Sequence, residues 1–287
     1  MQSLREIRRR IRSVKNTQQI TKAMEMVAAA KLRKAQDAAE NARPYAEQMK
    51  EIVSRLVGAM PNMQHPLVEQ REVKNSGFLV IAADRGLCGG YNTGLLRFTA
   101  GQIKEQDKAQ ILAVGKKARD YFRRRQYNLY TTHLDIEDYP EWKRIQQIGQ
   151  EAVEGFTSGE YDELFLVYTE FVNAIRQIPR IVKLLPMEPA VDEQEEKKGG
   201  AKALYHFEPD EETIIDRFLP KYIESLVYHA MLEAKASEHG ARMSAMGSAT
   251  ENAQEMIDSL TIVLNRARQA VITQEILEIS NTAMAMD

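Results

Sequence analysis

The residues that could carry chemistry are few. A glycine-rich stretch, DRGLCGGYN (Asp84 to Asn92), follows an apolar run, where open α/β sheets bind ligands beyond the carboxyl ends of their strands. A dinucleotide site would need G-x-G-x-x-G there, and a phosphate loop G-x-x-x-x-G-K-[ST]. Neither spacing occurs in the 287 residues. Gly86, Gly89 and Gly90 therefore read as residues of a tight turn or a close backbone approach. Cys88, the single cysteine, has no neighbouring base in sequence and reads as a small buried hydrophobe rather than a nucleophile. His65, His133, His206, His229 and His239 are scattered, with no H-E-x-x-H and no C-x-x-C, so no metal site or cofactor is expected. A chain without a catalytic constellation is expected to be no enzyme.

Charge is more informative. The formal net charge of −2 hides an asymmetry: residues 1–34 hold ten Lys or Arg against Glu6 and Glu25, while Asp192 to Glu196 is an acidic cluster. Such a basic segment could meet phosphates, a membrane surface or an acidic protein wall. A nucleic-acid-binding coiled-coil protein is the alternative reading, although no aromatic residue precedes Tyr45 to stack a base. A small-molecule enzyme at the RGLCGG turn is a third. The composition, 44% hydrophobic and 28% charged, is that of a folded domain. No run of 18 apolar residues exists to cross a bilayer. The Arg-rich start contains Glu6 and keeps its apolar spacing past Val14, which reads as mature structure rather than a targeting segment.

The elements that position these residues follow from period. Steps of three and four from Leu4 reach Ile7, Ile11, Val14, Gln18, Thr21, Glu25, Ala28, Leu32 and Ala35, and continue to Leu56. That heptad predicts a helix wound on a partner. At Gln18, Thr21 and Glu25 the apolar face moves to Ile20, Met24 and Val27, which predicts a slip of register. Residues 1–58 are the amino-terminal helix, ended near Gly58 before PNMQHP. A second helix runs over 210–287, interrupted at Pro220, Gly240 and Gly247, with a stripe through Ala249, Ala253, Met256, Leu260, Val263, Ala267, Ala270, Gln274 and Leu277. The small seam residues predict an antiparallel pair with close backbones. Because the second helix is longer by roughly 30 Å at 1.5 Å per residue, its end from about Gln269 should project alone and need a sheath. Between the helices, residues 76–208 alternate strand and helix: GFLVIAAD, QILAVG, DELFLVYTEF and RQIPRIVKLLPM as strands, ALYHFEP as a last short one, YNLYTTHLDIEDYP unassigned. The fold class is α/β, a Rossmann-like head with a mainly parallel sheet on a long antiparallel coiled coil.

TKAMEMVAAAKLRKAQ, DRGLCGGYN, ARMSAMGSATENA and ARQAVITQEILEI, in this order around a Rossmann-like middle, resemble the gamma subunit of the F-type ATP synthase. The resemblance covers the whole chain. It implies a central rotor shaft inside three alpha and three beta subunits, its head on the membrane c-ring beside epsilon, peripheral on the cytoplasmic face of a bacterial cell membrane. It further implies coupling of proton-driven ring rotation to ATP synthesis or hydrolysis at beta. Residue by residue, Arg242, Gln269 and Thr273 match positions that hydrogen-bond a beta loop; Met24, close to Lys22, Lys31 and Arg33, matches one facing an acidic beta lever; Phe207 and Glu208 match the foot that meets epsilon and the c-ring. Chloroplast relatives carry two regulatory cysteines, which this sequence lacks.

Overall fold

The computed structural model describes residues 3–59, 65–187 and 211–284. It divides into two compact units, Met1–Ala28 with Arg242–Asp287, and Ala29–Ala241. Two long helices contribute to both: α1 (Leu4–Ala59) and α5 (Glu211–Met284). Each tolerates one internal proline, Pro44 and Pro220, at the loss of one backbone hydrogen bond. Pro220 does not interrupt α5 as its sequence suggests, because Leu219 and Ile223 on either side of it are fully buried and hold the turn in place by packing.

The unit Ala29–Ala241 is built on a sheet of five strands: β1 (Ser76–Ile81), β2 (Ala109–Val114), β3 (Asn128–His133), β4 (Glu163–Phe171) and β5 (Gln177–Leu185). Their order is β3-β2-β1-β4-β5, the first four parallel and β5 antiparallel to β4. β1 and β2 are buried on both faces, which is why they read as continuous apolar runs. Alternation divides the core. Phe78, Val80, Ile111 and Ala113 face α2 (Tyr91–Gln102) and α3 (Lys116–Arg124), against Leu95, Leu96 and Phe122. Leu79, Ile81, Leu112 and Val114 face the other way, against Ile145, Ile148 and Phe156 of α4 (Trp142–Thr157) and Ile215, Leu219, Ile223 and Val227 of α5. Tyr161 wedges into this second layer and donates to the Ala152 carbonyl at 2.6 Å. Gly155 makes room for it, since a Cβ there would stand 2.6 Å from its hydroxyl. The unassigned YNLYTTHLDIEDYP contains β3 and the loop to α4; the expected strand ALYHFEP lies outside the described residues.

In the other unit the segments of α1 and α5 run antiparallel. Gln18 Nε2 donates to Gln254 Oε1 at 2.8 Å, the Thr21 and Thr250 hydroxyls meet at 2.8 Å, and the Glu25 carboxyl packs over Gly247. These pairings correct the expected slip of register. Gln18, Thr21 and Glu25 stay in the seam, whereas Ile20 and Val27 are 60% and 55% exposed. Hydrogen-bonding and small partners on α5 take the place of apolar contact at this level, so the heptad continues unbroken. The carboxyl-terminal stripe keeps Ala253, Leu260 and Ala267 as expected and moves by one residue at the positions between them. Ile257 is 6% exposed and Met256 46%; the seam runs Met246, Thr250, Ala253, Ile257, Leu260, Leu264, Ala267. Continued at the Thr21–Thr250 register, Leu4 falls opposite Ala267. Beyond it every residue from Arg268 to Asn281 is exposed.

Candidate functional site

The surfaces available for work are those the fold leaves open. On the two-helix unit the first is the projecting end of α5, where Val271, Ile272, Ile276, Leu277 and Ile279 are exposed together with only Glu275, Glu278 and Asp287 as charged side chains beyond Arg268. A single helix this apolar is marginal in water and buries nothing of its own. Gln269 and Thr273 lie here, one turn apart on one face and both exposed; the Thr273 hydroxyl donates to the Gln269 backbone carbonyl at 2.9 Å. Arg242, half-buried, stands 27 positions earlier on the same helix, about 40 Å away. The three positions therefore lie at two separate levels of the helix.

The second surface is the outer side of α1. Met24 is half-buried, Ile20, Met26 and Val27 are exposed, and Lys22 is held by the Glu25 carboxylate at 3.2 Å. A surface pair of this kind exchanges partners at little cost.

In the unit Ala29–Ala241, Arg33 is exposed, but Lys31 is already engaged: its ammonium lies 2.6 Å from Asp138 Oδ2. Phe207 and Glu208 lie outside the described residues.

The turn after β1 is filled by its own residues. Asp84 accepts the backbone N–H of Lys116 at 2.9 Å and of Asp135 and Ile136 at 3.2 Å each. One carboxylate thus joins the start of α3 to the loop after β3, across the crevice where a ligand would sit in an open sheet. Asn92 accepts from the Ala83 N–H at 3.0 Å and donates to Cys88 Sγ at 3.0 Å. Tyr91 donates to the Ala234 carbonyl of α5 at 3.1 Å. Gly115, at φ +93, admits no side chain, because a Cβ would come within 2.2 Å of the Ala82 carbonyl. The DRGLCGGYN stretch is a fastening between sheet and long helix.

Sequence reasoning passed over the charges fastened beside it. Lys235, Glu238 and His239 are all buried on α5. Lys235 donates to the Ile136 carbonyl at 2.9 Å and lies 3.7 Å from Glu238. His239 Nε2 is 3.0 Å from Asp138 Oδ1. The signal was present in KASEHG: Glu238 falls four residues after Ala234 on the apolar stripe, so a charge on the buried face was legible there. Lys31 and His239 together keep the Asp138 carboxyl below its usual range, although burial pushes the other way. Elsewhere, burial lowers the His133 imidazole against the opposing pull of Glu151, 3.0 Å away. Burial and Glu170 push Glu233 up to about 7.

A family model described as ATP synthase matches residues 3–286. An ATP synthase gamma chain of Desulforamulus reducens is 49% identical over 287 residues, the full length of both chains. The chain belongs to the ATP synthase gamma-chain family. A gamma chain of Pelotomaculum thermopropionicum is 46% identical over 288 residues, again with both chains fully covered. Among solved structures, the central stalk/c-ring of the Tetrahymena thermophila mitochondrial ATP synthase contains a similar chain at 28% identity and a TM-score of 0.62, covering 80% of this chain and 99% of that one. A chain of the Euglena gracilis mitochondrial ATP synthase rotor shares the fold, at 22% identity and a TM-score of 0.68, covering 94% of this chain and 98% of that one. Nothing in these relatives supports the nucleic-acid reading of the basic helix. No described helix is long and apolar enough to cross a membrane.

Proposed function

We propose that this chain is the central-stalk rotor of a proton-driven F-type ATP synthase, a non-catalytic subunit that couples rotation of a membrane c-ring to ATP synthesis or hydrolysis at beta subunits. The observation that carries the reading is the α5 segment Arg268–Asn281: exposed at every residue, rich in large apolar side chains, and extending past its antiparallel partner. Such a segment needs a surrounding sleeve, and a ring of three alpha and three beta subunits supplies one. Within that sleeve, Gln269 and Thr273 form the upper contact with a beta loop and Arg242 a lower one. Met24 and Lys22 on the outer face of α1, with Arg33 and Lys31, meet an acidic beta lever. Lys31 must leave Asp138 to do so, so Arg33 is the more available cation. Phe207 and Glu208 would contact epsilon and the c-ring. The subunit works at the cytoplasmic face of a bacterial membrane, touching the bilayer only through its partners.

An asymmetric shaft does its work by differential contact: each angle favours one of the open and closed states of a beta site, so rotation shifts those equilibria in turn. The test is assembly of the chain with alpha and beta subunits from the same source, with a bead on the head. ATP-driven rotation of the bead is expected. Turnover of ATP by the purified chain alone, or an active hexamer in which the bead stays still, would overturn the reading.

A further inference from the structure

Torque that enters the sheet must reach both long helices, and in the unit Ala29–Ala241 the loop that follows β3 is joined to both of them by directed polar bonds; elsewhere Ser237 of α5 donates to the Thr169 carbonyl of β4 at 3.0 Å and Tyr91 to the Ala234 carbonyl at 3.1 Å. The loop between β3 and α4 is held on three sides. Asp84 fixes its Asp135 and Ile136 N–H groups to the end of β1. Lys235 of α5 donates to its Ile136 carbonyl. Asp138 divides its two oxygens between Lys31 of α1 at 2.6 Å and His239 of α5 at 3.0 Å. Lys31 and His239 lie two residues inside the limits of this unit, Ala29 and Ala241, and α1 and α5 run on past those limits as uninterrupted helices.

We infer that Asp138 is a force-transmitting residue, tying the α/β sheet to both long helices at once so that torque is delivered to the pair rather than to one helix. The inference rests on the rotor reading. Its physical basis is the difference between apolar and polar contact. Hydrophobic packing is non-directional and resists separation more than sliding, whereas bonds of about 3 Å with a preferred angle resist both. His239 is 2% exposed, so the Asp138 bond to it is sheltered from competing water, while the Lys31 arm is half open. A polar cluster costs desolvation that an apolar one avoids; retaining it between the sheet and the interiors of both helices is intelligible if shear is what the joint must resist.

The test compares the wild-type complex with Asp138→Asn and Lys31→Met. A bead is attached through Lys108→Cys, a label that buried Cys88 does not compete for, and the hexamer is fixed to glass and stalled with a non-hydrolysable nucleotide. Angular variance of the bead varies inversely with stiffness. Asp138→Asn weakens two of the three ties between loop and helices, so variance should rise ~2-fold, with unloaded ATP hydrolysis unchanged. Lys31→Met loses one arm and should give a smaller rise. Unchanged variance in Asp138→Asn, including the case where only its thermal stability falls, overturns the inference. If Asp138→Asn does not assemble, His239→Leu, at a buried position with no proposed contact to another subunit, decides: a rise supports the tie to α5, and no rise refutes it. A wild-type bead that never rotates with ATP would instead defeat the rotor reading itself.

Discussion

Replacing Glu233 by Gln should stabilise the isolated chain above neutral pH and leave it unchanged in acid. Glu233 lies on the buried side of α5, its side chain 13% exposed and 3.7 Å from His229 Nε2. Its Oε2 has no hydrogen-bond partner among the described residues. Burial first, and then the negative charge of Glu170, raise its pKa from 4.5 to about 7, while Arg43, the Phe171 N–H and Arg180 pull it down without prevailing. The sign follows from linkage. A group that holds its proton more tightly when folded contributes stability that is complete below the unfolded pKa and is lost as pH rises through the folded one. The window therefore runs from pH 4.5 to about 7. The full displacement would correspond to at most ~3.4 kcal/mol. Water still reaches part of the carboxyl, and ~1–2 kcal/mol is the expected loss. Gln keeps an acceptor for the Phe171 N–H and cannot ionise. Urea unfolding of both chains at intervals from pH 4.5 to 8.5 should give curves that converge at the acid end and separate by that amount at pH 8. A Gln variant that is equally or less stable at pH 8 would mean that the folded protein accommodates the charge, and the desolvation argument would fail.

Four further outcomes are expected. Asp84→Ala leaves three backbone N–H groups without their carboxylate and should cost ~2–4 kcal/mol in thermal unfolding, while Asp84→Asn, which keeps one acceptor oxygen, should cost ~1 kcal/mol. Thr21→Val should cost ~0.5–1.5 kcal/mol by breaking the pair with Thr250, and adding Thr250→Val should recover most of it, because two apolar groups of matching shape replace two bonded hydroxyls; a double-mutant cycle by denaturation reads this. Truncation after Ile262 should leave the sheet unit's unfolding within ~0.5 kcal/mol of wild type, yet weaken ATP synthesis under full load. Met24→Lys, a cation added on the half-buried outer face of α1, should lower the protons moved per ATP cleaved in membrane vesicles; an unchanged ratio would remove Met24 from the proposed beta contact.

How much was legible in the sequence divides along the kind of force involved. β1 and β2 were readable because both of their faces are apolar, and burial on two sides needs no partner to be recognised. The long helices were readable from their heptads and from the length of chain without a break. The seam of the two-helix unit was misread by one position at two places, for one reason: period identifies a stripe, but only the opposite helix decides which of two adjacent residues enters it. Met256 and Ile257 are both apolar neighbours, and Ala253 and Leu260 on either side fit a step to one or the other. At Gln18 and Thr21 the same ambiguity favoured the apolar residue, and the structure chose the polar one because Gln254 and Thr250 stand opposite.

The joint around Asp138 was the least legible feature, and the reason is physical rather than statistical. Asp84, Asp138, Lys31 and His239 come from four distant parts of the chain, so no local spacing relates them. Each alone reads as an ordinary loop or surface charge. What they share appears only when the sheet order brings the ends of β1 and β3 near α1 and α5. The same geometry explains the empty-looking turn at DRGLCGGYN. In an open α/β sheet the crevice at the strand ends is where binding energy is available for a ligand; here that energy is used on the protein's own backbone through Asp84 and Asn92. A sheet that must be held rigidly to two helices has reason to close that crevice with its own side chains, since a ligand site left open would be a compliant point in the path of torque.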